Sequence, residues 1–250
     1  MSELTPPPAF LPTPLQGRPV TAQIEEGLAW MQQQPGPGQV LGASPRPGAT
    51  ATSWIALNAR TRVLAPTELR NLRPQGGAVL VVWPDETLIE LVSAGSSNLG
   101  PEVRLCVLEW GVTGWMSAWL RAHGAVDARY GTPFPGSVPA GSRLRLLPEQ
   151  VEAALLAREE LLRFVPDTAS AAAVASEMFD ALAGAGTSCD STMVWAWCLS
   201  RGYPPERARL LRDTATTALA EARAPRDRTP APTGRDRLRL DRHRAVQVHA

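Results

Sequence analysis

The sequence predicts an α/β fold: a small, mostly parallel sheet with flanking helices, followed by an all-helical C-terminal domain. Two near-continuous apolar runs, at 78–83 and 103–108, are typical of strands buried on both faces of a parallel sheet. A helical pattern at 85–94 lies between them and another at 113–123 follows, so the segment reads as consecutive crossover units. Beyond residue 147 the apolar spacing is helical only.

The N-terminal part divides into an arm and a domain. Residues 1–19 are rich in proline and predict a disordered arm. Residues 20–127 form the predicted α/β, Rossmann-like domain, which begins with a helix that Thr21 caps. Further elements are predicted as strands at 39–43 and 52–57 and as a short helix at 68–72.

The C-terminal part begins with a linker. Repeated prolines and glycines at 128–146 indicate a domain border. The domain at 147–222 is predicted to be helical, and residues 223–250, with eight arginines against three aspartates, predict a disordered basic tail. The helices are predicted at 149–164, 168–182, 191–200 and 206–222.

Composition excludes two kinds of chemistry. The chain has no lysine, so it can hold neither the lysine of a Walker-type phosphate loop nor a Schiff base. Cys106, Cys189 and Cys198 show no CxxC spacing, which favours a reduced, cytoplasmic setting. No signal peptide and no membrane-spanning run is predicted.

Two carboxylates follow the central strands. Glu109 comes directly after the second strand and Asp85 follows the first after one proline. Ligands of open α/β sheets lie beyond the carboxyl ends of strands. The two could share a crevice, although Asp85 is also well placed to cap the next helix and Glu109 to end a strand in solvent. Because a third ligand is not apparent nearby, no metal, no cofactor and no catalytic residue is predicted.

The loop after the second strand supplies the other candidate ligand-binding residues. Trp110 could line an apolar pocket. Thr113 and Gly114 open the following helix, where backbone amides can receive an anion.

Other side chains that could take part in catalysis or binding also have a structural interpretation. His123, before Gly124, is typical of a helix C-terminus. Trp115 and Trp119 lie four residues apart and are expected to fasten their helix to the sheet, with base stacking as the alternative.

Residues 193–214 have the outline of a helix-turn-helix. Arg207, Arg209 and Arg212 are expected to face outward from its second helix, and the basic tail could add phosphate contacts. Any helical hairpin shows the same outline, so DNA binding is one of two interpretations.

Three short motifs, at 79–84, 104–110 and 194–204, resemble those of a group of uncharacterised actinobacterial α/β-plus-helical proteins. The resemblance implies this architecture and a bacterial cytoplasmic setting, and it implies no activity.

Taken together, the sequence favours a non-enzymatic cytosolic binding or adaptor protein, with a protein partner possible. The alternatives are a DNA-binding protein that uses 193–214 and the tail, and a metal- or phosphate-dependent hydrolase with Asp85 and Glu109 at the strand ends.

Overall fold

The computed structural model of the protein describes residues 6–14, 19–42, 63–64, 77–99, 103–109, 111, 113–137 and 145–223. Within these residues the strands are β1 (Ala9–Leu11), β2 (Gly38–Gly42), β3 (Val63–Leu64), β4 (Gly77–Val82), β5 (Val103–Leu108) and β6 (Val126–Asp127). The helices are α1 (Val20–Gln32), α2 (Glu86–Leu99), α3 (Gly114–Ala122), α4 (Glu149–Ala157), α5 (Glu159–Phe164), α6 (Thr168–Gly184), α7 (Ser191–Ser200) and α8 (Pro205–Arg223).

The strands form one sheet in the order β3-β2-β4-β5-β1-β6, and all five pairings between them are parallel. The two apolar runs of the sequence are neighbours, aligned from Gly77 opposite Val103 to Val82 opposite Leu108. Every residue of β4 is buried, as expected for a strand covered on both faces. The α/β fold class and the helical C-terminal part are therefore confirmed.

Alternate side chains of the central strands enter two hydrophobic cores. Leu80 and Leu108 pack with α1 on one face of the sheet. Val81 and Val107 point to the opposite face, where they join a larger core with α2 and α3. That core continues into α6, α7 and α8, so the C-terminal helices share it with the sheet rather than forming a separate one. In α7 six consecutive residues, 194–199, are buried, because this helix lies inside the helical layer.

The N-terminal arm is a correction to the sequence analysis. Residues 9–11 do not belong to a disordered arm, because they form β1, an inner strand between β5 and β6. Phe10 and Leu11 are 6% and 1% exposed. Three apolar residues between prolines are too few to show the period of a strand. The strand forms because β5 and β6 pair with it on both sides.

Other boundaries also differ or cannot be compared. Helix α1 begins at Val20 with Pro19 as its N-cap, so Thr21 is not the cap. The strand predicted at 52–57 and the helix at 68–72 lie outside the described residues.

The start of the predicted linker packs against the sheet. The Phe134 amide donates to the carbonyl of Ala125 at 2.7 Å, and the Phe134 ring meets the Phe10 ring edge to face with 5.1 Å between centroids. None of the helices in the described ranges combines the length and apolar character that crossing a bilayer requires.

Because Phe10 is buried between two layers, Phe10→Ala should lower the free energy of unfolding by about 3–5 kcal/mol, measured by urea denaturation. Phe164→Ala is the matched control, since Phe164 is 65% exposed. Equal denaturation midpoints for the two variants would show that β1 adds nothing to the fold.

Candidate ligand-binding site

The chain leaves the neighbouring strands β1 and β5 in opposite directions. After β1 it passes through α1 to β2 on one side of the sheet, and after β5 it passes through α3 to β6 on the other. The two connections run toward opposite edges of the sheet and cover opposite faces of it. Ligands of open α/β sheets lie beyond the carboxyl ends of the strands. The carboxyl end of β1 is therefore a candidate position for a ligand-binding site.

The side chain of Gln23, on the first turns of α1, ties three strand ends together. Its amide nitrogen lies 3.0 Å from the carbonyl oxygen of Leu11, 2.9 Å from that of Pro12 and 2.9 Å from that of Glu109. Its amide oxygen accepts a 2.9 Å hydrogen bond from the indole Nε1 of Trp83. One buried amide thus joins the ends of β1, β5 and β4, and its two N–H groups are shared among three acceptors.

A glycine one turn further along allows α1 to approach the sheet closely enough for these bonds. A Cβ on Gly27 would lie 2.9 Å from Leu108 Cδ2 and 3.0 Å from Leu80 Cδ1, inside ordinary contact distance. Gln23 and Gly27 are four residues apart and so lie on the same face of the helix. The close approach of this face brings the Gln23 amide down to the strand ends.

Trp83 has an unusual backbone conformation at the same edge. Its φ is +46°, in the left-handed region that a bulky side chain rarely adopts. Its backbone amide donates to the Leu108 carbonyl at 3.2 Å and its indole donates to Gln23, so hydrogen bonds hold both its main chain and its side chain. Backbone strain that the surroundings maintain in this way is concentrated at functional sites.

Glu109 is buried at the end of β5 and is 6% exposed. Burial raises the pKa of its carboxyl group, and a hydrogen bond from the Thr13 amide opposes that rise. The main chain of Glu109 is fixed as well, because its amide donates to the Leu11 carbonyl at 2.9 Å. The residue is therefore part of the closed floor of the crevice.

Beside this floor lies an open cleft with a volume of about 340 Å³. Its walls come from three segments: the end of β1, the first two turns of α1 and the turn after β6. The described residues that line it are Pro12, Thr13, Pro14, Ala22, Gln23, Glu26, Arg129 and Tyr130.

The turn after β6 is held by a local ion pair. The carboxylate of Asp127 accepts from Arg129 Nη2 at 2.9 Å, from Nε at 3.2 Å and from the Arg129 amide at 2.8 Å. Burial alone would raise the pKa of Asp127, but the hydrogen bonds and charge of Arg129 outweigh it and hold the pKa below its usual range. The turn presents Tyr130 with 73% of its surface exposed and with the Arg129 guanidinium 5.1 Å from its ring centroid.

The residues that the sequence predicted as ligand-binding do not come together in one site. Asp85 is exposed and caps α2, accepting a 2.8 Å hydrogen bond from the Leu88 amide, so its environment differs from that of the buried Glu109. Trp110 lies outside the described residues. Thr113 is the N-cap of α3 without a side-chain cap bond, and Gly114 begins that helix. None of these residues is among the described lining of the cleft.

Sequence reasoning missed the residues that do line the cleft. Gln23 and Glu26 lie in the first predicted helix but were not singled out, and Arg129 and Tyr130 fall in the predicted linker. A strand recognised at β1 would have indicated the cleft, since it places the start of α1 at the carboxyl ends of the strands.

Among the described residues, no group of three or more His, Cys, Asp or Glu side chains is placed to hold a metal ion.

The arginines predicted to contact DNA are engaged within the protein. Arg207 does not face outward as expected: it is 6% exposed, and its Nη2 donates to the carbonyls of Val165 at 2.6 Å and Pro166 at 3.2 Å. Arg209 Nε lies 3.2 Å from Glu90 Oε1. Arg212 pairs with Glu86 of α2 and with its neighbour Asp213. DNA binding by this unit stays a prediction, with two of its three arginines joining α8 to α2.

The tryptophans of α3 and α7 also have structural partners. The Trp119 indole donates to Ser93 Oγ at 2.8 Å and the Trp195 indole donates to Glu90 Oε1 at 3.0 Å. The His123 ring stacks on Trp119 and its Nδ1 lies 2.9 Å from the Trp119 carbonyl oxygen. Burial lowers the pKa of His123 to about 4 despite that hydrogen bond. These residues connect helices within the core.

Replacing Gln23 should show how much the strand ends depend on it. Gln23→Leu leaves the Trp83 indole and three carbonyl groups without their partner, and we expect a loss of about 3 kcal/mol in the free energy of unfolding. Gln32→Leu, at an exposed position of the same helix, is the control and should change it by no more than about 0.5 kcal/mol. Equal losses in urea denaturation would contradict this role of Gln23.

The buried Glu109 predicts a pH dependence. Its raised pKa makes the folded state bind the proton more tightly than the unfolded chain, so its contribution to stability is complete below about pH 4.3 and is lost as the pH rises through the raised value. Glu109→Gln removes this loss. The stability of the variant relative to wild type should therefore rise with pH, by at most about 1.4 kcal/mol per pH unit.

Urea denaturation at several pH values measures that difference, with Glu25→Gln at an exposed position of α1 as the matched control. A difference between Glu109→Gln and wild type that is flat, or that falls as the pH rises, would contradict the assignment.

Comparisons of this chain with protein-family models, with curated proteins and with solved structures find no match. The resemblance to actinobacterial proteins therefore stays a prediction, and the function has to be inferred from the geometry of the cleft.

Proposed function

We propose that this is a non-enzymatic binding protein and that its ligand is a small molecule held in the cleft at the carboxyl end of β1. The observation that carries the proposal is the cleft itself, about 340 Å³ in volume and lined by both apolar and polar side chains. That combination, in a concave site at the edge of a parallel sheet, is typical of small-molecule sites.

The polar side chains of the cleft are held in place by hydrogen bonds, which supports the binding of a ligand. Gln23 is fixed by four hydrogen-bonded neighbours and forms a rigid part of the lining. The Arg129 guanidinium is fixed by its bonds to Asp127 through Nε and Nη2. Side chains that are ordered before the ligand arrives lose little conformational entropy on binding, which favours affinity. The exposed Tyr130 adds an apolar face with a polar end.

The test is a thermal-shift panel of free amino acids, nucleotides and sugar phosphates at millimolar concentration. A compound that binds the folded state raises the melting temperature. Tyr130→Ala should remove the shift, because it removes one wall of the cleft. Phe164→Ala, which truncates an exposed aromatic ring outside the cleft lining, should keep it.

Two outcomes would contradict the proposal. One is a panel in which no compound raises the melting temperature. The other is a compound whose shift is the same in wild type and Tyr130→Ala, since that compound would bind elsewhere.

A further inference from the structure

Exposed apolar side chains are concentrated on one short part of the surface. Among the described residues, the large hydrophobic side chains that are exposed are Tyr130 beside the cleft and Leu156, Leu161 and Phe164 on α4 and α5. Leu161 and Phe164 are 51% and 65% exposed. Single exposed apolar residues are common on protein surfaces, whereas a contiguous group of them marks an interaction site. The outer side of α4 and α5 is therefore a candidate surface for contact with another protein molecule.

The two helices present these side chains on the same side. The Arg158 amide donates to the Leu155 carbonyl at 3.2 Å and the Leu162 amide donates to the Arg158 carbonyl at 2.9 Å, so helical hydrogen bonding continues through the joint between α4 and α5. Leu155 and Leu162, seven residues apart, are buried in the core, and the side opposite them is exposed. The exposed apolar residues of this side, which we call the α4–α5 face, are Ala153, Leu156, Ala157, Leu161 and Phe164.

The spacing of the α4–α5 face is symmetric about the joint. Leu156 precedes the midpoint between residues 158 and 159 by as much as Leu161 follows it, and the same holds for Ala153 and Phe164. If two copies of the face run antiparallel across a two-fold axis at this midpoint, Leu156 of each copy lies opposite Leu161 of the other. The small Ala153 then lies opposite the large Phe164. A surface that complements itself in this way fits a second copy of the chain.

Unused charges of both signs border the face. Their neighbour Glu159 already has partners, because its carboxylate lies 3.7 Å from Arg163 Nη1 and 3.3 Å from Arg201 Nη2. The side chains of Arg158 and Glu160, by contrast, form no ion pair and no hydrogen bond within the part of the chain that the structure describes. A two-fold interface repeats every contact, so one free cation and one free anion in each copy supply two ion pairs across it.

We propose that the α4–α5 face is the interface of a symmetric homodimer, in which Arg158 of each copy pairs with Glu160 of the other. The charges favour a second copy over an unrelated partner, because both signs border one face and complement each other when the face meets itself.

The apolar residues of the face are few, so the dimer is weak and concentration-dependent. We expect a dissociation constant on the order of 100 µM. The protein is then monomeric at the low micromolar concentrations of denaturation and thermal-shift measurements, where Phe164 stays exposed.

The experiment is sedimentation equilibrium of the full chain from about 10 µM to about 1 mM, with charge reversals at the proposed pair. Wild type should change from monomer to dimer over this range. Arg158→Glu brings acidic groups together across the interface and Glu160→Arg brings basic groups together, so each single reversal should weaken the dimer about 10-fold or more. The double variant Arg158→Glu/Glu160→Arg restores opposite charges and should dimerise as wild type does.

Two further variants separate the interface from other effects. Glu25→Arg makes the same change of charge at an exposed position of α1 and should leave the dimer unchanged. Leu161→Ala truncates an apolar contact that occurs twice in the dimer and should weaken it about 10-fold or more. Circular dichroism of each variant at low micromolar concentration checks that the monomer is folded.

Three outcomes would overturn the proposal. Wild type that remains monomeric at the highest concentration does not pair through this face. A dimer that both single reversals leave unchanged uses another surface. A double variant that stays as weak as the single reversals shows that Arg158 and Glu160 do not meet across the interface.

Discussion

A single buried amide holds the carboxyl edge of this sheet together. Gln23 comes from a helix, yet its hydrogen-bond partners belong to the ends of β1, β5 and β4. An amide buried in an apolar core without partners would cost several kcal/mol, and here every polar atom of the side chain is used. Because the amide is satisfied only at one depth and one rotation of α1, it fixes where the first turn of that helix meets the strand ends, and so it sets one wall of the cleft.

The topology explains why the opening lies beside β1. This strand is three residues long and lies between β5 and β6. From β1 the chain runs to β2, toward one edge of the sheet, whereas from β5 it runs to β6, at the other edge. The right-handed crossovers that follow place α1 and α3 on opposite faces. Beyond the end of β1, the Gln23 side chain is bound to the Glu109 carbonyl, and the cleft opens toward the turn after β6, where the Asp127–Arg129 pair holds the residues beside Tyr130.

The sequence predicted those parts of the fold whose burial is independent of distant partners. The runs at 78–83 and 103–108 are apolar on both faces, so their pairing in the sheet could be foreseen, and Asp85 was correctly expected to cap α2. β1 could not be foreseen, because its burial comes from strands almost a hundred residues away. For the same reason the sequence did not distinguish Gln23 from other polar positions of a helix. Arg207 was expected to face outward, but it is buried and donates to the carbonyls of Val165 and Pro166 in the turn between α5 and α6.

The most direct test of this account is hydrogen exchange of the tryptophan indole protons in ¹⁵N-labelled protein. The indole N–H of Trp83 should exchange slowly in wild type and faster in Gln23→Leu, because the Gln23 amide oxygen accepts its hydrogen bond. The indole of Trp119, which donates to Ser93, should keep its rate in both proteins and serves as the internal control. An indole proton of Trp83 that exchanges at the same rate with and without the Gln23 amide would show that this bond does not organise the edge of the sheet.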